Sequence, residues 1–416
     1  MPPRLRLLLL YVYLFILIYT PALGESIVFD KYIVLYILLV IVILPYVLRR
    51  KLTNLTVLQN KNVVLFMLFV LLASIYLMIV QVFNGIEIKN LSDTRIIQNN
   101  LINVLILHVA IIIDQLKKLQ YTKYDALAIL AKIASLQGIY AFLSLVFTPL
   151  KNISNTLYSL AGGSNSFVFD TRIFGISSDF TFGTPIYHGI LAAILLYAAF
   201  YFKKAKYLMY IPFILITTAL NNRTGIVVFF ILSLLFLLYI AFKRNKITQI
   251  LITIVTMMTL SIVFFNSLKT LSPNTYNFLN SFIEDTQNLI QGKPTGNYEV
   301  LMNEVYSFKK SNANLLFGEG YRVYDEAGKI KAGFRSDIGY VNDIFYGGIT
   351  YMLILYVSFS YFILYKERKY KYVAVLLLLI VFIVNIKGEI FRSNIVMFLF
   401  IYLKLVTQSK LRIGRA

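Results

Sequence analysis

The residues best equipped for chemistry in this chain are arginines. Arg223 stands in Leu220-Asn-Asn-Arg-Thr-Gly225, a connection of a few residues between two long apolar runs. A guanidinium at the head of an apolar helix is costly unless it meets water, a carboxylate or a phosphate. Its planar fork suits a phosphate or diphosphate held at a helix N-terminus. The alternative is snorkelling to an interface or stapling a neighbouring helix. Arg172 opens Arg172-Ile-Phe-Gly-Ile-Ser-Ser-Asp-Phe-Thr-Phe-Gly183, and the same arginine-to-glycine spacing recurs from Arg322 to Gly333. Arg335 lies just before another apolar run, and Arg392 closes the short turn Lys387-Gly-Glu-Ile-Phe-Arg392. Together they form a set of candidate anion ligands.

The candidate proton-transfer groups are fewer. Asp337, Glu319 and Asp343 cluster near the end of the longest polar stretch, and Asp179 follows Arg172. Any of them could serve as a general base toward a hydroxyl, provided it reaches within about 3 Å of the proton it takes. A competing role for Asp337 is to cap the helix that starts near Tyr340. His188 is one of two histidines and falls one turn into an apolar run, where it could act as a base or bind phosphate. His108, deeper in its run, reads as structural. Two histidines in separate runs without a carboxylate cluster make a poor metal site, so no metal and no cofactor are expected. There is no cysteine, hence no disulfide framework and no thiolate chemistry. Lys132 and Asp114, both inside apolar runs, are expected to pair with each other.

The elements that must position these groups are membrane helices. The chain has 416 residues, 59% of them hydrophobic, and a mean hydropathy of +0.74. That exceeds the need of a water-soluble core. Crossing a bilayer takes roughly 20 apolar residues in a helix. Twelve runs qualify, at 5–23, 32–48, 63–83, 98–116, 126–148, 184–202, 206–220, 224–242, 248–266, 341–364, 372–387 and 393–407. None alternates apolar and polar residues as a barrel strand would. The fold class expected is therefore all-α: a polytopic integral membrane protein of about 12 helices, a single transmembrane domain over 1–416.

The net charge of +21 looks like a nucleic-acid signal until it is placed. With the N-terminus in the cytoplasm, alternate connections collect Arg49-Arg50-Lys51, Lys117-Lys118, Lys203-Lys204, Lys243-Arg244 and Arg368-Lys369, while the opposite side is balanced. This is the positive-inside pattern, with both termini cytoplasmic. It implies anionic membrane lipid as a partner and no nucleic acid. The first run ends in Pro21-Ala-Leu-Gly24 and resembles a secretory signal peptide, but an even number of spans favours its retention as a helix.

Three outer segments are long enough to matter: the short polar Asn84–Ile97, and the longer 149–183 and 266–340. Within the larger one, Asn280–Gly292 and Glu299–Phe308 carry apolar residues at helical spacing and are expected to be short helices lying on the bundle. No internal repeat is visible, which disfavours a two-halved transporter.

Three segments carry a family likeness: Asn222-Arg-Thr-Gly225, Leu316-Phe-Gly-Glu-Gly-Tyr321 and Ser336-Asp-Ile-Gly-Tyr-Val-Asn-Asp-Ile-Phe-Tyr-Gly-Gly-Ile349. With the two arginine-to-glycine spacings, the chain resembles the polymerases of O-antigen or capsular polysaccharide, relatives of the O-antigen ligases. The resemblance implies a metal-independent glycosyltransferase of the bacterial cytoplasmic (inner) membrane with its active site facing outward. Donor and acceptor would be oligosaccharides on polyprenyl diphosphate, and a chain-length regulator would be a further protein partner. On this likeness Arg172, Arg223, Arg322, Arg335 and Arg392 would hold the diphosphate. Arg223, Asp337, His188 and Glu319 would serve catalysis. Ligases tend to carry a histidine in the large outer loop, and this loop has none. The alternatives are a ligase or another membrane glycosyltransferase, and a flippase for lipid-linked oligosaccharide.

Overall fold

A computed structural model of the chain describes residues 2–21, 31–49, 52, 55–86, 95–160, 172–173, 175–177, 182–244, 248, 255, 259, 262–263, 265–293, 295–296, 298–300, 302–303, 314–321, 336, 338–367 and 370–412. Among the described residues the structure is helical, with no strand beyond the bridge Thr122–Arg412. In chain order the helices are α1 (Pro3–Tyr19), α2 (Lys31–Leu48), α3 (Lys61–Phe83), α4 (Arg95–Lys118), α5 (Lys123–Val146), α6 (Thr148–Leu160) and α7 (Gly183–Tyr201). There follow α8 (Ile211–Asn221), α9 (Arg223–Arg244), α10 (Pro273–Ile290), α11 (Gly339–Met352), α12 (Ser358–Leu364), α13 (Lys371–Val384) and α14 (Asn394–Gln408).

Among the described residues, six stretches are long and apolar enough to cross a membrane: Lys61–Phe83, Asn99–Lys118, Lys123–Val146, Gly183–Tyr201, Arg223–Lys243 and Gly339–Leu364. The apolar helices Ile33–Leu48, Lys371–Val384 and Asn394–Gln408 are shorter. α3 shows the logic of such a helix. Val63, Phe66, Val70, Ala73 and Leu77 form a buried stripe at helical spacing, while Leu68, Leu72, Ile79 and Phe83 are exposed. An outer face that is also apolar suits hydrocarbon rather than water. The expected run at 248–266 lies mostly outside the described residues.

The chain divides into two compact units. The first comprises Met1–Glu25, Tyr121–Gln287 and Arg412–Ala416. Its centre is α7, buried from Gly183 to Ala199. α5 starts with a capping box, in which Thr122 and Asp125 exchange side-chain and backbone hydrogen bonds. α9 packs along α7 through two glycines. The expected run at 206–220 forms a single-turn 3-10 segment, Ala205–Met209, and then α8, whose Pro212 sits in the first turn. At 11 residues α8 is about 16 Å long, roughly half a hydrocarbon core. The segment expected as a loop at 149–183 begins instead as α6, started by Pro149 in the first turn. α10 begins at Pro273, earlier than the helix expected at Asn280. Its start is set by Pro273 and by the Ser272–Thr275 hydroxyl pair. The second helix expected there, Glu299–Phe308, lies mostly outside the described residues.

The second unit comprises Ser26–Gln120 and Asn288–Leu411. α14 is buried over almost its whole length. Its Lys404 Nζ donates to the carbonyls of Ile363 and Tyr365 at 2.8 and 2.9 Å, closing the end of α12. α11 breaks at Gly348, whose φ is +69°, and a π turn, Leu353–Val357, joins it to α12. The turn 314–321 repairs the break. Ile349 N donates to Leu315 O at 2.8 Å and Thr350 Oγ1 to Leu316 O at 2.8 Å. Tyr76 Oη bridges the carbonyls of Phe317 and Gly347. Irregular backbone within an apolar helix is tolerated where protein groups take up its hydrogen bonds, as they do here.

In place of the expected Lys132–Asp114 pair, each residue has partners within its own unit. Asp114 takes Lys118, one turn on, and Tyr46 Oη at 2.6 Å, whereas Lys132 lies over the Tyr11 ring at 6.0 Å.

Candidate functional site

The motif Asn222-Arg-Thr-Gly225 resolves into separate jobs. Asn222 has extended backbone between α8 and α9. Its Oδ1 accepts from Thr224 N and Thr224 Oγ1, both at 3.0 Å, and so caps α9. Gly225 gives the helix room to approach α7, since a β-carbon there would lie 2.2 Å from Pro185 O. Arg223 is left as the first residue of α9. A cation there opposes the positive end of the helix dipole, so the position favours an anion nearby.

Arg172 is brought to the same place from a distant part of the sequence. Ile173 N donates to Leu220 O at 3.0 Å, which pins the strand of chain to the end of α8. Ile176 N donates to Gln137 Oε1 at 3.3 Å, which anchors it to α5. Both guanidinium groups then lie over one ring, that of Phe278 on α10: Arg223 Cζ at 4.2 Å and Arg172 Cζ at 5.0 Å from its centroid. Asp285, two turns further along α10 on the same face, brings Oδ2 within 3.9 Å of Arg223 Nη1. The side chains of Arg223 and Asp285 are 11% and 16% exposed. Beneath them lies an apolar floor of Ala141, Ile173, Leu220, Phe278 and Leu279.

This is an electropositive and partly desolvated site. Burial lowers the pKa of Arg172 from its usual value, the like charge of Arg223 lowers it further, and Tyr158 works the other way. Arg172 Nε is buried without a hydrogen-bond partner in the protein. So are both amide atoms of Asn221, a fully buried residue two positions before Arg223. Buried polar atoms are rarely left unmatched, and among the described residues the two arginines lie near one carboxylate, Asp285. Chemically, such a pair of guanidinium groups could accept a polar anion.

His188 belongs to the same unit but to its interior. It is 0% exposed, and its Nε2 shares a hydrogen bond with Tyr19 Oη at 2.8 Å. Without solvent access, the ring packs the interior of the helix bundle. His108 is also buried, with Nε2 3.1 Å from Leu35 O.

Glu319 and Arg392 lie in the second unit. Glu319 Oε1 accepts from Asn314 N at 2.8 Å and Glu319 N donates to Phe345 O at 2.7 Å, so the residue closes the turn against α11. The neighbouring Tyr321 has its pKa pushed up to about 12 by burial and by the Glu319 charge. Arg392 is buried between Glu389, 2.9 Å away, and Asp343, 3.5 Å away, with Cζ 3.8 Å over the Tyr346 ring. Asp343 also accepts from Tyr356 Oη, and Asn385 Nδ2 joins them at 3.3 Å from Asp343. Two carboxylates already meet Arg392, so its surroundings are not those of an anion site. Burial works against its charge, but Glu389, Tyr346 and Asp343 outweigh it and raise its pKa.

Arg322, Arg335 and Asp337 lie outside the described residues, as does Asp179. Ahead of α11, Ser336 Oγ accepts from Ile338 N at 3.1 Å. Sequence reasoning missed Phe278 and Asp285. Their only sequence signal was the seven-residue spacing along an amphipathic stretch. Among the described residues no three His, Cys, Asp or Glu side chains gather in a way that could hold a metal ion. Comparisons with protein-family models, curated proteins and solved structures return no match.

Proposed function

We propose that the chain is a glycosyltransferase of the bacterial cytoplasmic membrane that polymerises lipid-linked polysaccharide repeat units, of the O-antigen or capsule kind, on the outer face. The observation that carries this reading is the convergence of Arg172 and Arg223 on one ring at the head of α9. In this reaction the acceptor hydroxyl attacks the anomeric carbon of the donor glycan. The bond from that carbon to the polyprenyl diphosphate breaks, and the hydroxyl proton passes to a base. Negative charge grows on the departing diphosphate, where paired guanidinium groups act best. Each charge-assisted hydrogen bond is worth roughly 1.5–3 kcal/mol. Phe278 holds the two like charges together and shields one side from water.

A second reading, a flippase for the lipid-linked unit, draws on a different observation. α11 is a broken helix, and the buried charges Asp343 and Arg392 meet beside it. Broken helices with intramembrane charges mark many transport sites.

The deciding experiment is a gel profile of surface and lipid-linked glycan from cells lacking the gene, with and without a plasmid copy. Collapse of the ladder to single repeat units, restored by the plasmid, is the expected result. Long chains retained on the lipid carrier would mean a ligase. Repeat units trapped on the cytoplasmic leaflet would mean a flippase.

A further inference from the structure

Asp285 stands where a ligand's anion would stand. Its carboxylate approaches Arg223 to 3.9 Å, and it comes from α10, the helix that also supplies the ring beneath both arginines. Its carboxylate is mostly buried, so the contact is screened by solvent less than a surface pair would be. We propose that Asp285 is an internal competitor for the phosphate position: it occupies Arg223 while the site is empty, and an incoming phosphate group displaces it. The proposal rests on the diphosphate reading of the arginine pair.

The charges give this contact a use. A membrane surrounds the site with phospholipid headgroups, each a phosphodiester of one negative charge. Such a group replaces the Asp285 carboxylate one charge for one and gains nothing in charge matching. A diphosphate diester brings two charges to two arginines, so it recovers the lost pair and adds a second. Asp285 thereby lowers the affinity for every phosphate, and only the doubly charged ligand has enough in reserve to bind. Rotation of the Asp285 side chain frees Arg223 without moving Phe278, which sits two turns away on the same helix.

The test uses the full-length protein in detergent and equilibrium dialysis of radiolabelled inorganic pyrophosphate, with dimethyl phosphate as the singly charged competitor. Asp285→Asn keeps the shape of the side chain and removes its charge. It is expected to tighten both ligands by a similar factor, about fivefold to tenfold. Asp285→Glu, which restores a competitor, is expected to remain near the wild type. Weaker binding of both ligands to Asp285→Asn would show that the carboxylate positions Arg223, and would overturn the proposal. So would a much larger gain for pyrophosphate than for dimethyl phosphate, because that is the mark of repulsion from a carboxylate that stays in place. Absence of pyrophosphate binding in both the wild type and Asp285→Asn would remove the diphosphate reading, and this one with it. Binding that is present but unchanged by Asp285→Asn would overturn the role of Asp285 alone.

Discussion

Gly189 of α7 lies against Gly225 of α9 so closely that a β-carbon on Gly189 would sit 2.2 Å from Gly225 O. One turn earlier on α7, a β-carbon on Gly225 would meet Pro185 O at the same distance. Backbone-to-backbone packing of this kind fixes where α9 begins, and hence where Arg223 stands. Gly225→Ala is therefore expected to push the helices apart. Overpacking costs about 1–3 kcal/mol, and here the obstacle is backbone that cannot rotate away. The unfolding midpoint of the purified protein should fall, and polymer formation should fall with it. An alanine variant with wild-type stability and activity would show that the crossing is looser than this.

Arg223→Ala removes one of the two guanidinium groups without disturbing that crossing. Polymer formation is expected to drop by about 100-fold or more, in line with the loss of a single donor to a developing anion elsewhere. Protein level in the membrane should hold. Arg223→Lys should recover little, because an ammonium cannot form the paired, planar contacts of the fork. Quantified ladders from complemented cells, normalised to protein level, are the measurement.

Phe278→Leu preserves the apolar floor but removes the ring under Arg172 and Arg223. A cation over an aromatic face gains about 0.5–2 kcal/mol. With two cations on one ring, the expected loss in pyrophosphate affinity is roughly tenfold, while Phe278→Tyr retains most of it. If leucine and tyrosine behave alike, the ring contributes shape rather than charge stabilisation.

Glu319 was a catalytic candidate by sequence, and its contacts suggest a different experiment. Its Oε1 accepts from Asn314 N, and a glutamine in its place can accept the same bond. Glu319→Gln is expected to be close to wild type in activity. By contrast, Gly318→Ala should fail, because Gly318 has φ +77° and a β-carbon there would lie 2.7 Å from the Gly347 backbone. Loss of activity in Glu319→Gln with unchanged stability would restore Glu319 as a proton-transfer group.

The sequence announced the helices where it was most uniform. α3 and α5 appear where long apolar runs placed them, because nothing but a helix satisfies the backbone of such a run in hydrocarbon. Arg223 was legible as a helix head because Asn, Arg, Thr and Gly interrupt two apolar runs. Three things were not legible. The run at 206–220 hides a proline that shortens it to α8. The glycine pair Gly347-Gly348 reads as part of a helix until the turn 314–321 is seen to repair its break. The partners of the arginines, Phe278 for Arg172 and Asp343 for Arg392, come from distant segments, and spacing along the chain carries no record of such contacts.

Arg392 illustrates that last point and gives a final prediction. Sequence placed it among the anion ligands as an arginine closing a short turn between two apolar runs. The structure places it between Glu389 and Asp343, with Asn385 and Tyr356 completing the hydrogen bonds around Asp343. Removing one partner from a buried charge group typically costs 3–5 kcal/mol, because the remaining charge is left unmatched. Arg392→Met would leave two carboxylates without their cation. The expected outcome is a lower unfolding midpoint and less protein in the membrane. Adding Asp343→Asn to Arg392→Met removes one of those orphaned charges, so the double variant should be more stable than the single one. An anion-binding role predicts the opposite pattern: Arg392→Met would keep its stability and lose pyrophosphate binding, and the second substitution would rescue neither.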